Sequence, residues 1–225
     1  MIARAALFVW IAAWTAIALL WPPLVPGLGE TTRVLYFHIP SAWITVLALA
    51  WSMGHSVQYL RTRRIEHDDQ ASAAAELGLL FCIGATVSGS VWAKAVWHSW
   101  WNWDPRETSI FFVLLVYGAY LALRGSVEGE ERRARLSAIY SAAAFVTVPF
   151  LVFVVPRLYY SLHPDPLINS GGKIQMDPRI RISFLAMLVG FTGLFFWMLA
   201  LRVRLLRVSR RLEIAAHAAA GGGGT

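Results

Sequence analysis

Apolar residues run in six blocks, at about 5–21, 40–60, 70–92, 108–124, 136–156 and 179–201, each broken off by charged or turn-forming residues. A helix needs roughly 20 apolar residues to cross the ~30 Å hydrocarbon core, and most blocks reach or approach that length. The pattern predicts an all-α, polytopic membrane protein of six transmembrane helices. Breakers mark the connections. Trp21-Pro22-Pro23 and Pro26-Gly27 end the first span, Arg61-Thr62-Arg63-Arg64 the second, and Arg124-Gly125 the fourth. Pro149 and Pro156 fall in or at the end of the fifth span. Neighbouring helices satisfy the backbone groups that such prolines free, so a kink is expected rather than a break. The six spans form one bundle over residues 1–204, with a tryptophan-rich loop at about 92–108. A tail follows over 205–225, and its Gly-rich end is expected to be disordered.

Composition agrees: 57% of residues are hydrophobic and 15% charged, against about 25% charged in soluble proteins. The net charge of +7 raises nucleic acid as a partner, but the distribution of the cations removes it. Six spans place both termini on one side. That side carries Arg4, Arg61, Arg63, Arg64, Arg124, Arg132, Arg133, Arg135, Arg202, Arg204, Arg207, Arg210 and Arg211. The other carries only Arg33, Lys94, Arg106, Arg157, Lys173, Arg179 and Arg181. The positive-inside bias makes the richer side cytoplasmic, so the tryptophan loop faces outward and lipid is the surrounding partner. Arg4 ahead of an apolar run resembles a signal peptide, but Leu20-Trp21-Pro22-Pro23 is no small-residue cleavage site, and the first span reads as a retained helix. Cys82 stands alone, which excludes a disulfide framework within the chain, and no C-x-x-C-H motif for covalent haem attachment is present. Gly171-Gly172-Lys173 lacks the remainder of a phosphate-binding loop. ATP-driven steps would belong to another subunit.

Five tryptophans lie within twelve residues: Trp92, Trp97, Trp100, Trp101 and Trp103. An interfacial belt accounts for one or two indoles per helix end. Five offer on the order of 1,000 Å² of aromatic surface at about 150–250 Å² each, which suits a large, flat, apolar ligand. Belt plus local packing is the competing explanation. Three histidines share the outer side: His38, in Tyr36-Phe37-His38-Ile39-Pro40, where Pro40 is read as beginning the second helix; His98; and His163, between Tyr159-Tyr160-Ser161-Leu162 and Pro164-Asp165-Pro166. Imidazole ligates haem iron. His38 and His163, one from each connection, would make a coherent axial pair about a porphyrin laid on the indoles; solvated or carbonyl-capping histidines are the plainer alternative. His55 lies about 25 Å along the helix from His38, at 1.5 Å per residue, and cannot share that site. His67 and His217 read as solvated, and Glu76 has no evident partner. Asp104-Pro105-Arg106-Glu107 reads first as a helix start, with Asp104 the N-cap, Pro105 the first helical residue and Glu107 completing a capping box. Arg106, Lys94, Arg157 and Arg179 are placed to meet a ligand's carboxylates.

The stretch from Trp92 through Trp97, Trp100-Trp101 and Trp103-Asp104-Pro105-Arg106-Glu107-Thr108 resembles the WWD signature of the haem-handling proteins of cytochrome c assembly. Tyr36 to Trp43 resembles the segment bearing that family's first outer histidine. Six spans in 225 residues are similar to the cytochrome c maturation protein C (CcmC) branch, the haem exporter protein C family. Ala93 and His98 stand where glycine is expected in many members. The resemblance implies haem b held non-covalently and transiently at the periplasmic face of the bacterial inner membrane. His38 and His163 would hold the iron, and Trp92, Trp97, Trp100, Trp101, Trp103, Asp104 and Arg106 the porphyrin. It further implies delivery to a CcmE-like haem chaperone in a complex with CcmA-, CcmB- and CcmD-like subunits of an ABC transporter, with no bond-making active site in this chain. Two other classes are weighed against it. An intramembrane b-type cytochrome exchanging electrons with quinone requires facing histidines within the spans, where only His55 lies. A permease-like subunit would use the tryptophan loop purely for docking.

Overall fold

The computed structural model of the chain describes residues 2–163 and 176–221, with side chains to residue 216. Lys173, the Pro164-Asp165-Pro166 segment, the side chain of His217 and residues 222–225 lie outside the described residues. Six helices are long and apolar enough to cross a membrane. They are α1 (Ile2–Leu20), α2 (Leu35–Thr62), α3 (Ile65–Trp97), α4 (Pro105–Ser126), α5 (Glu130–Leu158) and α6 (Pro178–Gly221). The described residues contain no strand, only one isolated bridge between Val25 and Gly29. The chain is a multi-pass, all-helical membrane protein, as the six apolar blocks predict.

The helix ends differ from the predicted ones where local backbone chemistry extends them. The second helix does not begin at Pro40. A 3₁₀ turn, Glu30–Val34, leads directly into Leu35 and places His38 and Pro40 inside the helix. Pro40 removes one N–H, a tolerable loss one turn from the start, and the Ser41 hydroxyl donates to the Phe37 carbonyl beside it (2.7 Å). The third helix runs to Trp97 rather than 92, so Trp92 and Trp97 are helical and the loop proper is His98–Asp104. In α5 the prolines do not end the helix. After Pro149 the chain passes through a π turn over Phe150–Val154, with the Val155 amide donating to the Phe150 carbonyl five residues back, and helix resumes to Leu158. Neither Pro149 nor Pro156 has an N–H to continue the regular ladder, and the wide turn lies between them.

Helix α2 is the hub. Its Ile44 and Ala48 pack with Ala73, Ala74 and Leu77 of α3 and with Phe195, Leu199 and Val203 of α6. Its Leu49 joins Cys82 of α3, Val113, Tyr117 and Tyr120 of α4, and Ala144 and Val148 of α5. Small residues at these contacts let the helices approach closely, the usual solution where lipid supplies no hydrophobic drive between helices. Helix α1 is peripheral and packs antiparallel on α6. The Trp10 indole donates to the Ala186 carbonyl (2.9 Å), and Gly193 leaves space for Leu7, which a β-carbon there would meet at 2.8 Å.

The end of the bundle away from the tryptophan loop is clasped by ion pairs. Arg124 of α4 grips buried Asp68 of α3 through two hydrogen bonds (2.8 and 2.5 Å). Arg210 of α6 bridges buried Asp69 of α3 and Glu130 of α5. Arg202 of α6 takes Glu76 of α3 (2.6 and 3.1 Å), which supplies the partner the sequence did not reveal. Helix α6 therefore stays bound to the bundle past residue 204, through Arg207 and Arg210.

Candidate haem-handling site

The site is assembled from the beginning of α2, the end of α3, the loop to α4, and the residues after α5. His38 projects from α2 toward α3, where its Nδ1 meets the Ala85 carbonyl at 3.0 Å and the Ser88 hydroxyl at 3.1 Å. A carbonyl only accepts, so Nδ1 carries the proton and Nε2 keeps its lone pair. The ring lies directly over Gly89, where an added β-carbon would sit 2.8 Å from His38 Cε1. Glycine at 89 is thus required for this approach. Nothing in the local sequence marks Gly89 or Ser88, because their role depends on α2 and α3 being neighbours at that height.

His163 is held from three directions. Its Nδ1 lies 2.8 Å from Asp104 Oδ1, its ring stacks on Trp92 (centroids 6.0 Å, planes 27° apart) and Trp97 meets it edge-on at 4.9 Å. Asp104 also accepts from the Ser161 hydroxyl and from the Leu162 amide (2.7 Å). At the same time it caps α4 by accepting the Arg106 amide (2.9 Å), while Glu107 returns to the Asp104 amide (3.3 Å) and completes the capping box. One buried carboxylate therefore fixes both the start of α4 and the loop bearing His163. Burial raises the Asp104 carboxyl pKa, but the Arg106 and Leu162 amides, His163 and Ser161 outweigh it and hold it below the usual carboxylate range. Burial likewise drives the His163 pKa down, to about 4; Asp104 opposes this, while Arg106 and His38 reinforce it. At neutral pH the ring is uncharged, Nδ1–H donates to Asp104, and Nε2 is again the free lone pair. A carboxylate behind a histidine is the familiar support of a metal ligand: it fixes tautomer and orientation and raises ligand basicity.

Four of the five tryptophans form two pairs. Trp92 and Trp97 contact each other (5.0 Å) and His163. Trp101 and Trp103 contact each other and Phe111 of α4. Trp100 and Trp103 are the exposed members, at 57% and 66%. Arg106, half-buried, acts electrostatically on both His38 and His163. Lys94 donates to the His98 carbonyl (3.0 Å), Arg157 to the Phe153 carbonyl (2.5 Å), and Arg179 pairs with Asp177. His98 is exposed and ends α3 with φ of 61°, a left-handed conformation that favours glycine. Ala93 is buried, at 1% exposure. The two positions where the family pattern expects glycine are thus one with a left-handed backbone and one where a small side chain is buried.

A family model described as "Heme exporter protein C" matches residues 1–218. The chain belongs to the haem exporter protein C family. It is 31% identical over 193 residues to "Heme exporter protein C" of Bradyrhizobium diazoefficiens, covering 83% of this chain and 73% of that protein. The corresponding protein of Rhodobacter capsulatus is 27% identical over 218 residues, covering 91% and 88%. A "Putative cytochrome c biosynthesis ccmC-like mitochondrial protein" of Marchantia polymorpha is 29% identical over 170 residues, covering 75% and 72%. The haem exporter protein C family places the chain among haem-handling membrane subunits of cytochrome c maturation.

Proposed function

We propose that this chain holds haem b, non-covalently and transiently, at the periplasmic face of the inner membrane and passes it to a CcmE-like haem chaperone, within an assembly that includes CcmA-, CcmB- and CcmD-like ABC transporter subunits. One observation carries the reading: His38 and His163 each commit Nδ1 to an acceptor and so present Nε2 as the only unprotonated ring nitrogen. In this reading the two imidazoles ligate the iron from opposite sides. Trp92, Trp97, Trp100, Trp101 and Trp103 cover the porphyrin and exclude water from it. Arg106 neutralises a propionate with paired hydrogen bonds, and Asp104 keeps His163 aimed. Release needs no bond-making chemistry from this chain, only a competing histidine on the acceptor; ATP hydrolysis belongs to the transporter subunits.

The test is the absorption spectrum of the detergent-purified chain. The parent should show six-coordinate, low-spin haem, and His38→Ala and His163→Ala should each alter the spectrum. Unchanged haem content and spectrum in the double variant would remove the proposal.

A further inference from the structure

At the other end of the bundle a second pair of histidines meets, and nothing in the haem-handling reading uses it. The turn at Arg63, whose left-handed backbone (φ 57°) lets its amide reach the Tyr59 carbonyl at 2.8 Å, folds α3 back along α2. This brings His55 and His67, twelve residues apart, edge to edge: their Nδ1 atoms are 3.1 Å apart, with ring centroids at 5.3 Å and planes 37° from one another. The sequence treats His67 as merely solvated; in the fold both rings are half-buried.

We propose that His55 and His67 chelate one late first-row divalent cation through their Nδ1 atoms. Imidazole binds such ions at about 2.0–2.1 Å. Two nitrogens 3.1 Å apart then subtend an angle of about 98° at a shared ion on those bond lengths, between square-planar and tetrahedral. The same distance argues against a haem here. Two axial nitrogens lie on opposite sides of the iron, about 4 Å apart at those bond lengths, so this pair suits adjacent positions on a bare ion. His55, one arm of the bite, is also held in place. Trp51 packs on His55 (5.2 Å) and on Phe196 of α6 (5.2 Å), and its indole donates to the Gln70 side chain (3.4 Å). Neighbouring carboxylates are already committed: Asp68 to Arg124, Asp69 to Arg210 and Glu66 to Arg64. Water therefore completes the coordination, and the site is an open, exchangeable one. Among divalent ions the Irving–Williams order places Cu²⁺ first, which makes it the most sensitive probe.

The full chain in detergent, stripped of metal by a chelator, is titrated with Cu²⁺ and followed by electron paramagnetic resonance. The expected result is a site with two-nitrogen hyperfine coupling that weakens at least tenfold in His55→Phe and in His67→Asn. It should persist in the His38→Ala, His163→Ala double variant. Unchanged Cu²⁺ affinity in both inner variants, or loss confined to the outer double variant, overturns the proposal and leaves the pair as a simple hydrogen bond. A measurement on the parent guards against misfolded variants. Zn²⁺ should protect His55 and His67 from histidine-directed acylation mapped by mass spectrometry, and equal modification with and without Zn²⁺ overturns the proposal as well.

Discussion

His98 closes α3 in a backbone conformation that suits glycine, and its exposed ring is not among the groups that hold His38 or His163. Replacing it with glycine should relieve the left-handed strain of a side-chain-bearing residue, about 1 kcal/mol. The expected outcome is a higher melting temperature in detergent with an unchanged haem spectrum, which would also show that the third outer imidazole is no ligand. Asp104 is the opposite case, a single carboxylate with several tasks. Asp104→Ala should lose the cap, about 1 kcal/mol, and should weaken haem binding roughly 10- to 100-fold by releasing His163, in the range seen when a ligand's supporting group is removed. Asp104→Asn retains much of the capping, so a haem titration of the two variants separates the tasks: both should lose haem affinity, and only the alanine should lose the full cap stability. The capping role was legible in Asp104-Pro105-Arg106-Glu107. The grip on His163 was not, because the two residues are separated by two whole helices and meet only after α5 packs beside α4.

Between elements, the π turn over Phe150–Val154 sets where α5 delivers its C-terminal end. The sequence marked it only as two prolines in an apolar run. The wide turn already takes up one residue beyond regular winding, and a further residue in an α-helix turns the chain by about 100° at 3.6 residues per turn, so inserting one alanine after Arg157 should rotate the following segment, His163 included, away from Trp92 and Asp104. The expected spectrum is that of His163→Ala, with iron ligated by His38 alone; a six-coordinate spectrum identical to the parent's would show that helix phase does not position this ligand. The same scale explains His38. Its ring depends on Gly89 and on the Ala85 carbonyl, both on α3, so a residue recognisable from its own segment acquires its orientation from another helix.

Across the whole molecule, the arginine asymmetry and the ion-pair clasp at one end describe the same feature. The sequence counts Arg124, Arg202, Arg207 and Arg210 toward a cytoplasmic surface; the fold shows them paired with Asp68, Glu76, Asp69 and Glu130. Some of the inner charge therefore binds helices together as well as facing lipid headgroups. The orientation proposed here predicts opposite labelling at the two ends. With Cys82 buried, a cysteine at exposed Tyr160 should react with an impermeant reagent in right-side-out vesicles, while one at exposed Ser209 should react only in inverted vesicles; the reverse pattern would invert the topology.

Span number, helical class, the tryptophan loop and the capping box were all set by local pattern: helix formation in lipid is compelled by backbone hydrogen bonding within each segment, and caps act over three or four residues. Which nitrogen each histidine presents, the way the indoles divide, the pairing of His55 with His67 and the partner of Glu76 were decided by packing alone. Those relations join side chains from different helices, and their distances exist only once α2, α3, α4, α5 and α6 stand against one another.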